Sequence, residues 1–542
     1  MNSAVLKNVA PSQPTEDLFK GKTAKEVIST TNTDELVIAL CGPIGSPLHE
    51  VAQALKELLE NKFLYRETKI LKLSKYILDF EIKRDASFTV EALTPFERID
   101  KLIDLGNEIR ETHSSSVLAE IAVKDIFIDR ALHKQNQGHD TYTSRRVCHI
   151  IDSIKNQQEL DLLRSVYRES LYVVGVFSPL HDREKNLSDK GLKTADIYKL
   201  IDRDSGEEKK TGQTVEDTFP QSDYFLRVDS QTVVQLQMRA ERFLNLILHG
   251  GVITPTKSEA AMYSAASASW NSACLSRQVG ASITDKDGEL LAVGWNDVPK
   301  PFGGLYTNED AVAGNSANDK RCWNWKGGKC FNDEEKTELG NRILETLIES
   351  GVEIKDKEKT LADVLKNRRL RGLIEFSRSI HAEMHAILNA LKSAGSRINN
   401  GKLYVTTFPC HSCARHIVAS GIGEVFYIEP YKKSLAMKLH EDSMTESETD
   451  FAKVRVLPYE GVAPSRYLSF FRMQPDTRKQ KNGKAIRAIA WSAQPKNEKT
   501  LEAMPVLEQV VVQSLIERKI IDQPHELQGQ NTTDYTPGPR AA

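Results

Sequence analysis

The chain has 542 residues, of which 40% are hydrophobic and 27% are charged, and its formal net charge is -2. This length exceeds what one hydrophobic core supports, so it predicts roughly two or three globular domains. The near-neutral charge gives no overall basic field, so nucleic acid is not expected as the substrate. The polar N-terminus lacks the apolar core of a signal peptide, and no stretch is apolar enough to span a membrane. We therefore expect a cytoplasmic protein with no membrane partner.

The two chain ends differ in composition from the middle. Residues 1–33 and 523–542 are rich in polar residues and proline, which predicts disorder. Between residues 34 and 241, the strand-like runs LVIAL, VCHIID, LYVVGVFS and DYFLRV alternate with helical stretches. This alternation predicts an α/β domain built on a parallel sheet flanked by helices.

The loop CGPIGSPLHE, residues 41–50, follows the first of these strands. It begins as a phosphate-binding P-loop does, but it lacks the lysine and the hydroxyl that end the pattern G-x-x-x-x-G-K-[ST]. Without those groups, phosphoryl transfer is not expected. Gly42, Gly45 and Ser46 still offer backbone N–H groups to a nucleotide phosphate at the start of a helix. The alternative is an inherited fold that binds no ligand.

A second α/β pattern occupies residues 258–458, where a helix and two hairpin strands precede alternating helices and strands. A long insertion, residues 297–378, interrupts it with Gly-rich and charged helical segments. Insertions of this size are typical of a lid, a regulator site or an oligomer contact. Residues 459–522 form a C-terminal extension.

The strongest chemical signal is the pair of segments SRSIHAEMHAILNA and FPCHSCARHIV. They carry the H-x-E and P-C-x-x-C pattern of zinc nucleobase deaminases. Cys410 and Cys413 open a predicted helix, where residues three apart share a face and direct both sulfurs at one metal. With His381 they make three ligands for Zn²⁺, which leaves the fourth tetrahedral position open to water, as in catalytic sites.

Glu383 lies two residues after the histidine ligand and is not expected to bind the metal. We predict that it is the catalytic acid and base, which carries a proton from the zinc-activated water to the ring N3 and on to the departing amine. The alternative, a closed structural zinc site, leaves Glu383 without a role. His385, His411 and His416 are expected to be packing or surface residues.

Residues 258–458 resemble the deoxycytidylate-type deaminase domains of the cytidine deaminase fold. The resemblance extends beyond the zinc motif to SACLSRQVGASI, GWNDVP and GIGEVFY. It implies an α/β/α domain, a homo-oligomer, and a substrate-binding role for Asn296 on the nucleotide sugar. The alternative for Asn296 is a turn residue that supports the hairpin.

The N-terminal half resembles deoxynucleoside-monophosphate-type P-loop kinases in HIIDSIKNQQELDLLRSV and VVGVFSPLHDRE. A kinase-like half joined to such a deaminase half is similar to the anti-phage dCTP deaminases. That resemblance implies a zinc-dependent hydrolase that converts dCTP and dCMP to dUTP and dUMP plus ammonia, and so depletes dCTP in antiviral defence. It also implies that the N-terminal domain is regulatory and responds to a nucleotide effector or an inhibitor.

Several alternatives stay open at this point. The chain could be a polynucleotide deaminase acting on RNA or single-stranded DNA, or a non-catalytic nucleotide-binding regulator. Cys322 and Cys330 are either part of a second zinc site or free cysteines. Arg277, Lys300 and Arg466 are candidate phosphate contacts, and the preference between dCTP and dCMP is open.

Overall fold

A computed structural model describes residues 23, 32–85, 93–138, 142–204, 214–229, 233–311, 318–367, 370, 372–430, 434–473, 479–480, 482–485, 490–495, 501 and 503–522. The disorder predicted for residues 1–33 and 523–542 falls almost wholly outside these ranges. The chain divides into two compact units, the first formed by Met1–Ile253 with Phe470–Ala542 and the second by Thr254–Ser469.

The described strands, in chain order, are β1 (Leu36–Cys41), β2 (Glu67–Lys72), β3 (Val147–Ile154), β4 (Leu171–Phe177), β5 (Tyr224–Arg227), β6 (Gly280–Thr284), β7 (Leu290–Trp295), β8 (Lys402–Thr407), β9 (Glu424–Glu429), β10 (Met444–Thr445), β11 (Val454–Pro458) and β12 (Gly461–Val462).

The described α-helices, in chain order, are α1 (Leu48–Asn61), α2 (Leu73–Arg84), α3 (Pro95–Thr112), α4 (Val117–Asn136), α5 (Gln157–Tyr167), α6 (Leu180–Ser188), α7 (Thr194–Asp204), α8 (Val215–Thr218), α9 (Val233–Ile247), α10 (Lys257–Ser269), α11 (Phe331–Glu349), α12 (Lys357–Lys366), α13 (Ala382–Ala394), α14 (His411–Ala419), α15 (Ala436–Leu439), α16 (Tyr467–Phe471) and α17 (Met504–Glu517). None of them is both long and apolar enough to cross a membrane.

The first unit is built on a parallel sheet in which its strands follow the order β5-β4-β1-β3-β2. β1 and β4 are buried along their whole length, as expected for strands covered by helices on both faces. The predicted parallel α/β architecture of the N-terminal half is therefore confirmed. β1 lies at the centre, so the loop that follows it opens at the carboxyl edge of the sheet, where ligands bind in folds of this class.

The C-terminal helix α17 completes the core of the first unit. Met504, Val511 and Leu515 belong to the same apolar cluster as residues of β1, β3 and β4. A buried charge cluster also ties α17 to the first unit. Arg130 of α4 binds Glu35, which directly precedes β1, at 2.7 Å, and it also binds Glu508 of α17.

Glu35 is the carboxylate that Arg130 shares with a second guanidinium. Arg145 approaches its other oxygen at 2.7 Å. Burial alone would raise the pKa of Glu35, but Arg130 and Arg145 outweigh burial and lower it to about 2. A depressed pKa means that the ionised carboxylate stabilises the folded state at neutral pH.

The second unit has a mixed sheet in the order β10-β11-β9-β8-β6-β7. β6 is antiparallel to both β7 and β8, whereas β8, β9, β11 and β10 run parallel to one another. A Cβ on Gly280 of β6 would lie 1.9 Å from a backbone oxygen of α10, and a Cβ on Gly294 of β7 would lie 2.3 Å from a backbone nitrogen of α13. Gly294 pairs with the residue after Gly280, so the two glycines lie on opposite faces of the sheet. The two helices therefore cover opposite faces, which confirms the predicted α/β/α layers.

We predict that Glu35→Gln lowers the free energy of unfolding by about 3 kcal/mol at pH 7, because it removes a carboxylate whose pKa is held well below its value in the unfolded chain. This contribution is complete above the unfolded pKa of 4.5 and is lost as the pH falls toward about 2. The difference between wild type and variant, measured by urea unfolding, should shrink by more than half at pH 3. The matched control is Glu517→Gln, at an exposed position of α17. If wild type and variant differ in free energy of unfolding by the same amount at both pH values, the lowered pKa of Glu35 is contradicted.

Candidate metal centre and active-site cavity

The predicted zinc ligands lie at the N-termini of two helices of the second unit. His381 is the extended residue that precedes α13, and Cys410 is the residue that precedes α14. The Cys410 sulfur accepts a hydrogen bond from the backbone N–H of Cys413, so this thiol caps its own helix at 3.4 Å. Both helix starts therefore direct their side chains to one place.

The three candidate ligand atoms converge there. His381 Nδ1 lies 3.3 Å from Cys410 Sγ and 3.3 Å from Cys413 Sγ. Tetrahedral zinc with its usual bond lengths separates a nitrogen and a sulfur ligand by about 3.5 Å, so the spacing suits this ion. Across the described residues, no other three His, Cys, Asp or Glu side chains meet within 4.8 Å. The group fits zinc in chemistry as well, because imidazole and thiolate are its preferred donors.

The two cysteines differ in their electrostatics. Hydrogen bonding from Cys413 is the largest cause that lowers the pKa of Cys410 to about 4; burial opposes this shift and His381 adds to it. Burial raises the pKa of Cys413 well above its usual value. A thiolate, not a thiol, is the form that binds metal. The surroundings of Cys410 thus favour its thiolate form, and Zn²⁺ would deprotonate Cys413 on binding.

Glu383 lies in the first turn of α13 and is only 4% exposed. Burial raises the pKa of Glu383 to about 7, and the nearby charge of Cys410 adds to the shift. A carboxyl group with a pKa near neutrality can both accept and release a proton at pH 7. The Glu383 carboxyl group is not part of the converging ligand group of His381, Cys410 and Cys413.

The neighbouring histidines make other contacts. His385 is buried, its Nδ1 lies 3.2 Å from the backbone of Trp295, and the two rings meet edge to face. His411 pairs with Glu375 at 3.2 Å, and the Nδ1 of the exposed His416 lies 2.8 Å from a backbone oxygen of its own helix. None of the three takes part in the converging ligand group.

A cavity of about 720 Å³ opens above Glu383 and the metal ligands. One wall is the loop of residues 274–279, and Asn296 lies beside it. Asn296 is 8% exposed; its Oδ1 accepts a hydrogen bond from Val279 N at 2.7 Å and its Nδ2 donates to Arg277 O at 2.8 Å. The amide thus shapes this wall, and its predicted contact with the substrate sugar stays a prediction.

Another wall comes from the insertion, through α11 and the segment after α12. The sequence leaves the insertion as a lid, a regulator site or an oligomer contact, and it singles out none of the residues that line the cavity from α11. The only sequence signal was the spacing of polar residues four apart in α11, which is common on any exposed helix.

The three candidate phosphate contacts are separated by the structure. Arg277 lines the cavity and lies 3.6 Å from Glu429, with both side chains about half exposed. Lys300 pairs with Asp310 at 3.1 Å, and Arg466 is buried. Neither of these two is among the lining residues.

The second candidate zinc site gains no further ligand. Cys330 has its sulfur 3.7 Å from the hydroxyl of Ser276, and Cys322 is partly buried. Where the chain is described, these cysteines join no group of three metal-binding side chains.

The P-loop-like segment lies in the first unit, away from these residues in the sequence. A Cβ on Gly42 would lie 2.2 Å from a backbone oxygen of β4, and Gly45 has a φ of +86°, so both positions require glycine. Ile44 N, in the same loop, donates a 2.6 Å hydrogen bond to Asp204 Oδ2. Lys155 Nζ lies 2.8 Å from Asp204 Oδ1. A carboxylate of the chain itself therefore takes the backbone donor of Ile44, which lies between the Gly42, Gly45 and Ser46 N–H groups that the sequence offers to a nucleotide phosphate.

Comparison with known proteins matches residues 255–429 to the cytidine and deoxycytidylate deaminase zinc-binding region. The chain is 30% identical over 167 residues to the deoxycytidylate deaminase of Enterobacteria phage T2, a match covering 31% of this chain and 76% of the relative. It is 31% identical over 169 residues to the phage T4 deoxycytidylate deaminase, covering 31% and 74%. A crystal structure of the dCMP deaminase from cyanophage S-TIM5 with dCMP and dUMP aligns over 38% of this chain and 99% of its own, with 20% identity and a TM-score of 0.22.

The family match confirms the zinc cofactor expected from the sequence, since residues 255–429 include the converging histidine and cysteines. The chain belongs to the cytidine and deoxycytidylate deaminase family.

Proposed function

We propose that this chain is a zinc-dependent hydrolase that converts dCTP and dCMP to dUTP and dUMP with release of ammonia. The observation that carries the proposal is the position of Glu383, buried beside the converging His381, Cys410 and Cys413 on the floor of a cavity. A closed structural zinc site would have no need of a buried carboxylate facing a cavity.

The residues divide the chemistry between them. Zinc held by His381, Cys410 and Cys413 would supply a Lewis acid that lowers the pKa of water to about 7. Glu383 takes one proton from the attacking water and delivers it to N3 of the cytosine ring, then takes the second proton from the hydroxyl group at C4 and delivers it to the amine, which leaves as ammonia. A pKa near neutrality suits both transfers, because the same group must act as base and then as acid. The walls of the cavity hold the base in place and restrict bulk water.

The substrate class rests on two supports. The relatives from phages T2 and T4 are deoxycytidylate deaminases, and deoxycytidylate is a nucleotide. The net charge of -2 offers no general basic surface for RNA or single-stranded DNA. The extension of the substrate to dCTP, and the antiviral role of depleting it, rest on the kinase-like half that precedes the deaminase half.

We assign the first unit a regulatory role, with its glycine loop as the site of a nucleotide effector or inhibitor. Gly42, Gly45 and Ser46 surround the backbone donor of Ile44, and Lys155 adds a positive charge nearby. In this proposal a phosphate competes with the Asp204 carboxylate for these groups. We also propose a homo-oligomer of unspecified order, located in the cytoplasm.

Glu383→Gln should reduce deamination by roughly a hundredfold or more, because the amide cannot take up and release the proton. Zinc content should stay near one ion per chain, because Glu383 is not a ligand. The assay is ammonia release from dCTP and dCMP, with metal analysis of the same preparation.

The matched control is Glu375→Gln, an exposed carboxylate that pairs with His411 and does not line the cavity. A labelled cytosine-containing oligonucleotide serves as a second substrate. Turnover of the oligonucleotide without turnover of dCTP or dCMP would overturn the proposed substrate class, and normal turnover by the Glu383 variant would overturn its role. In cells, active protein should lower dCTP and raise uracil deoxynucleotides, and replacing both Cys410 and Cys413 should abolish this change.

Asp204→Asn should raise the affinity of the first unit for a nucleoside triphosphate by roughly tenfold, because it removes the carboxylate that competes with phosphate for Ile44 N and Lys155. Titration calorimetry with dCTP and ATP on the Glu383→Gln background measures this without turnover. Asp196→Asn, on the same helix but away from the loop, is the control. Ser46→Lys should block binding. If the affinity for the nucleotides is unchanged in both Asp204→Asn and Ser46→Lys, the loop has only a structural role.

A further inference from the structure

The insertion helix α11 presents two polar side chains to the cavity that holds Glu383 and Cys410. Asn332 and Lys336 are four residues apart and therefore share one face of the helix, and both line the cavity. The second insertion helix fixes that face, because Gly340 packs against Leu361 so closely that a Cβ there would lie 2.9 Å from it.

The start of α11 is also tied to the metal-binding segment. The guanidinium of Arg378, three residues before His381, lies 5.1 Å from the ring centre of Phe331 and 3.9 Å from that of Trp325. A guanidinium over the face of an aromatic ring is attracted by the ring's electron density. Arg378 Nη1 also donates a 3.1 Å hydrogen bond to Lys320 O. The first turn of α11 is thus held at the cavity by the residues that lead into the zinc site.

Asn332 has an unsatisfied group in this wall. Its Nδ2 donates to Leu373 O at 3.2 Å, which fixes the orientation of the amide, and its Oδ1 is buried without a hydrogen-bond partner. A buried acceptor left unpaired is destabilising, and buried polar groups are almost always paired. Because Asn332 belongs to the lining of the cavity, a ligand group that donates a hydrogen bond, as a sugar hydroxyl does, would satisfy this oxygen.

Lys336 and Arg277 bring positive charge to the lining. Lys336 is half-buried on the insertion wall, and Arg277 is exposed on the loop of residues 274–279. Of the acidic side chains in the lining, Glu383 lies on the cavity floor and Asp333 is exposed to solvent. A volume of about 720 Å³ is within the usual range for pockets that enclose a whole small molecule. An ammonium group on this wall suits the phosphate chain of a nucleotide whose base reaches Glu383.

We propose that the insertion completes the substrate site: Asn332 Oδ1 accepts a hydrogen bond from the deoxyribose hydroxyl, and Lys336 binds the phosphate chain. The inference rests on the proposed function and adds a recognition element from outside the zinc motif. The insertion is then part of what selects a deoxycytidine nucleotide.

The test uses the full-length, zinc-loaded protein and steady-state deamination of dCMP and dCTP. Lys336→Ala should raise KM for both nucleotides by roughly tenfold or more with kcat nearly unchanged. The reason is that the variant loses a contact to the phosphate chain that is equally strong in the ground state and in the transition state. Lys336→Arg should restore most of the affinity. Asn332→Ala should lower kcat/KM by roughly tenfold. Arg342→Ala, an exposed position farther along α11, is the control and should behave as wild type.

A second measurement separates recognition from folding. Binding of dCTP to zinc-loaded Glu383→Gln protein, with and without Lys336→Ala, should show the same tenfold loss of affinity, while the thermal midpoint stays that of the control. If wild-type protein deaminates the nucleotides and both Lys336→Ala and Asn332→Ala match it in kcat/KM, the inference is wrong and the proposed function stands. If wild-type protein deaminates neither nucleotide, both fall together.

Discussion

The close approach of α13 to β7 is the constraint on which the active site depends. It is possible because Gly294 has no side chain, since a Cβ there would lie within 2.6 Å of two backbone atoms of α13. This contact sets the depth at which α13 begins, and therefore where His381 and Glu383 lie relative to the cysteines of α14. Strands β8 and β9 run parallel on either side of α14 in the chain and fix the start of that helix at the same edge of the sheet. The ligand group follows from helix and sheet packing and does not depend on a mobile loop.

The candidate metal centre shifts the pKa values of two neighbouring groups in opposite directions. Hydrogen bonds received at the N-terminus of α14 favour a negative sulfur at Cys410, whereas burial favours a neutral carboxyl at Glu383. A site that must hold a cation and also move a proton needs both kinds of group. Because Cys410 and Glu383 belong to the starts of two different helices, the pKa of each group is determined by its own surroundings.

How much of this could be predicted from the sequence depends on how local each interaction is. The meeting of Cys410, Cys413 and His381 was predictable, because a C-x-x-C at a helix start fixes two ligands by helical geometry alone. The parallel sheet of the first unit and the α/β/α layers were predictable from the alternation of strands and helices. The role of α11 as a wall was not, because it depends on long-range packing of Gly340 on Leu361 and of Arg378 on Trp325. The contact between Asp204 and the glycine loop joins residues 160 positions apart, and no local sequence pattern predicts it.

The return of α17 to the first unit has a consequence for biosynthesis. Arg130 receives one carboxylate from Glu35, near the start of the chain, and another from Glu508, near its end, and the apolar cluster around β1 also needs Leu501 and Leu515. A ribosome releases the whole of residues 254–469 before it releases α17. The deaminase unit can therefore finish folding first, while the unit that begins the chain keeps part of its core open to solvent until synthesis is nearly complete.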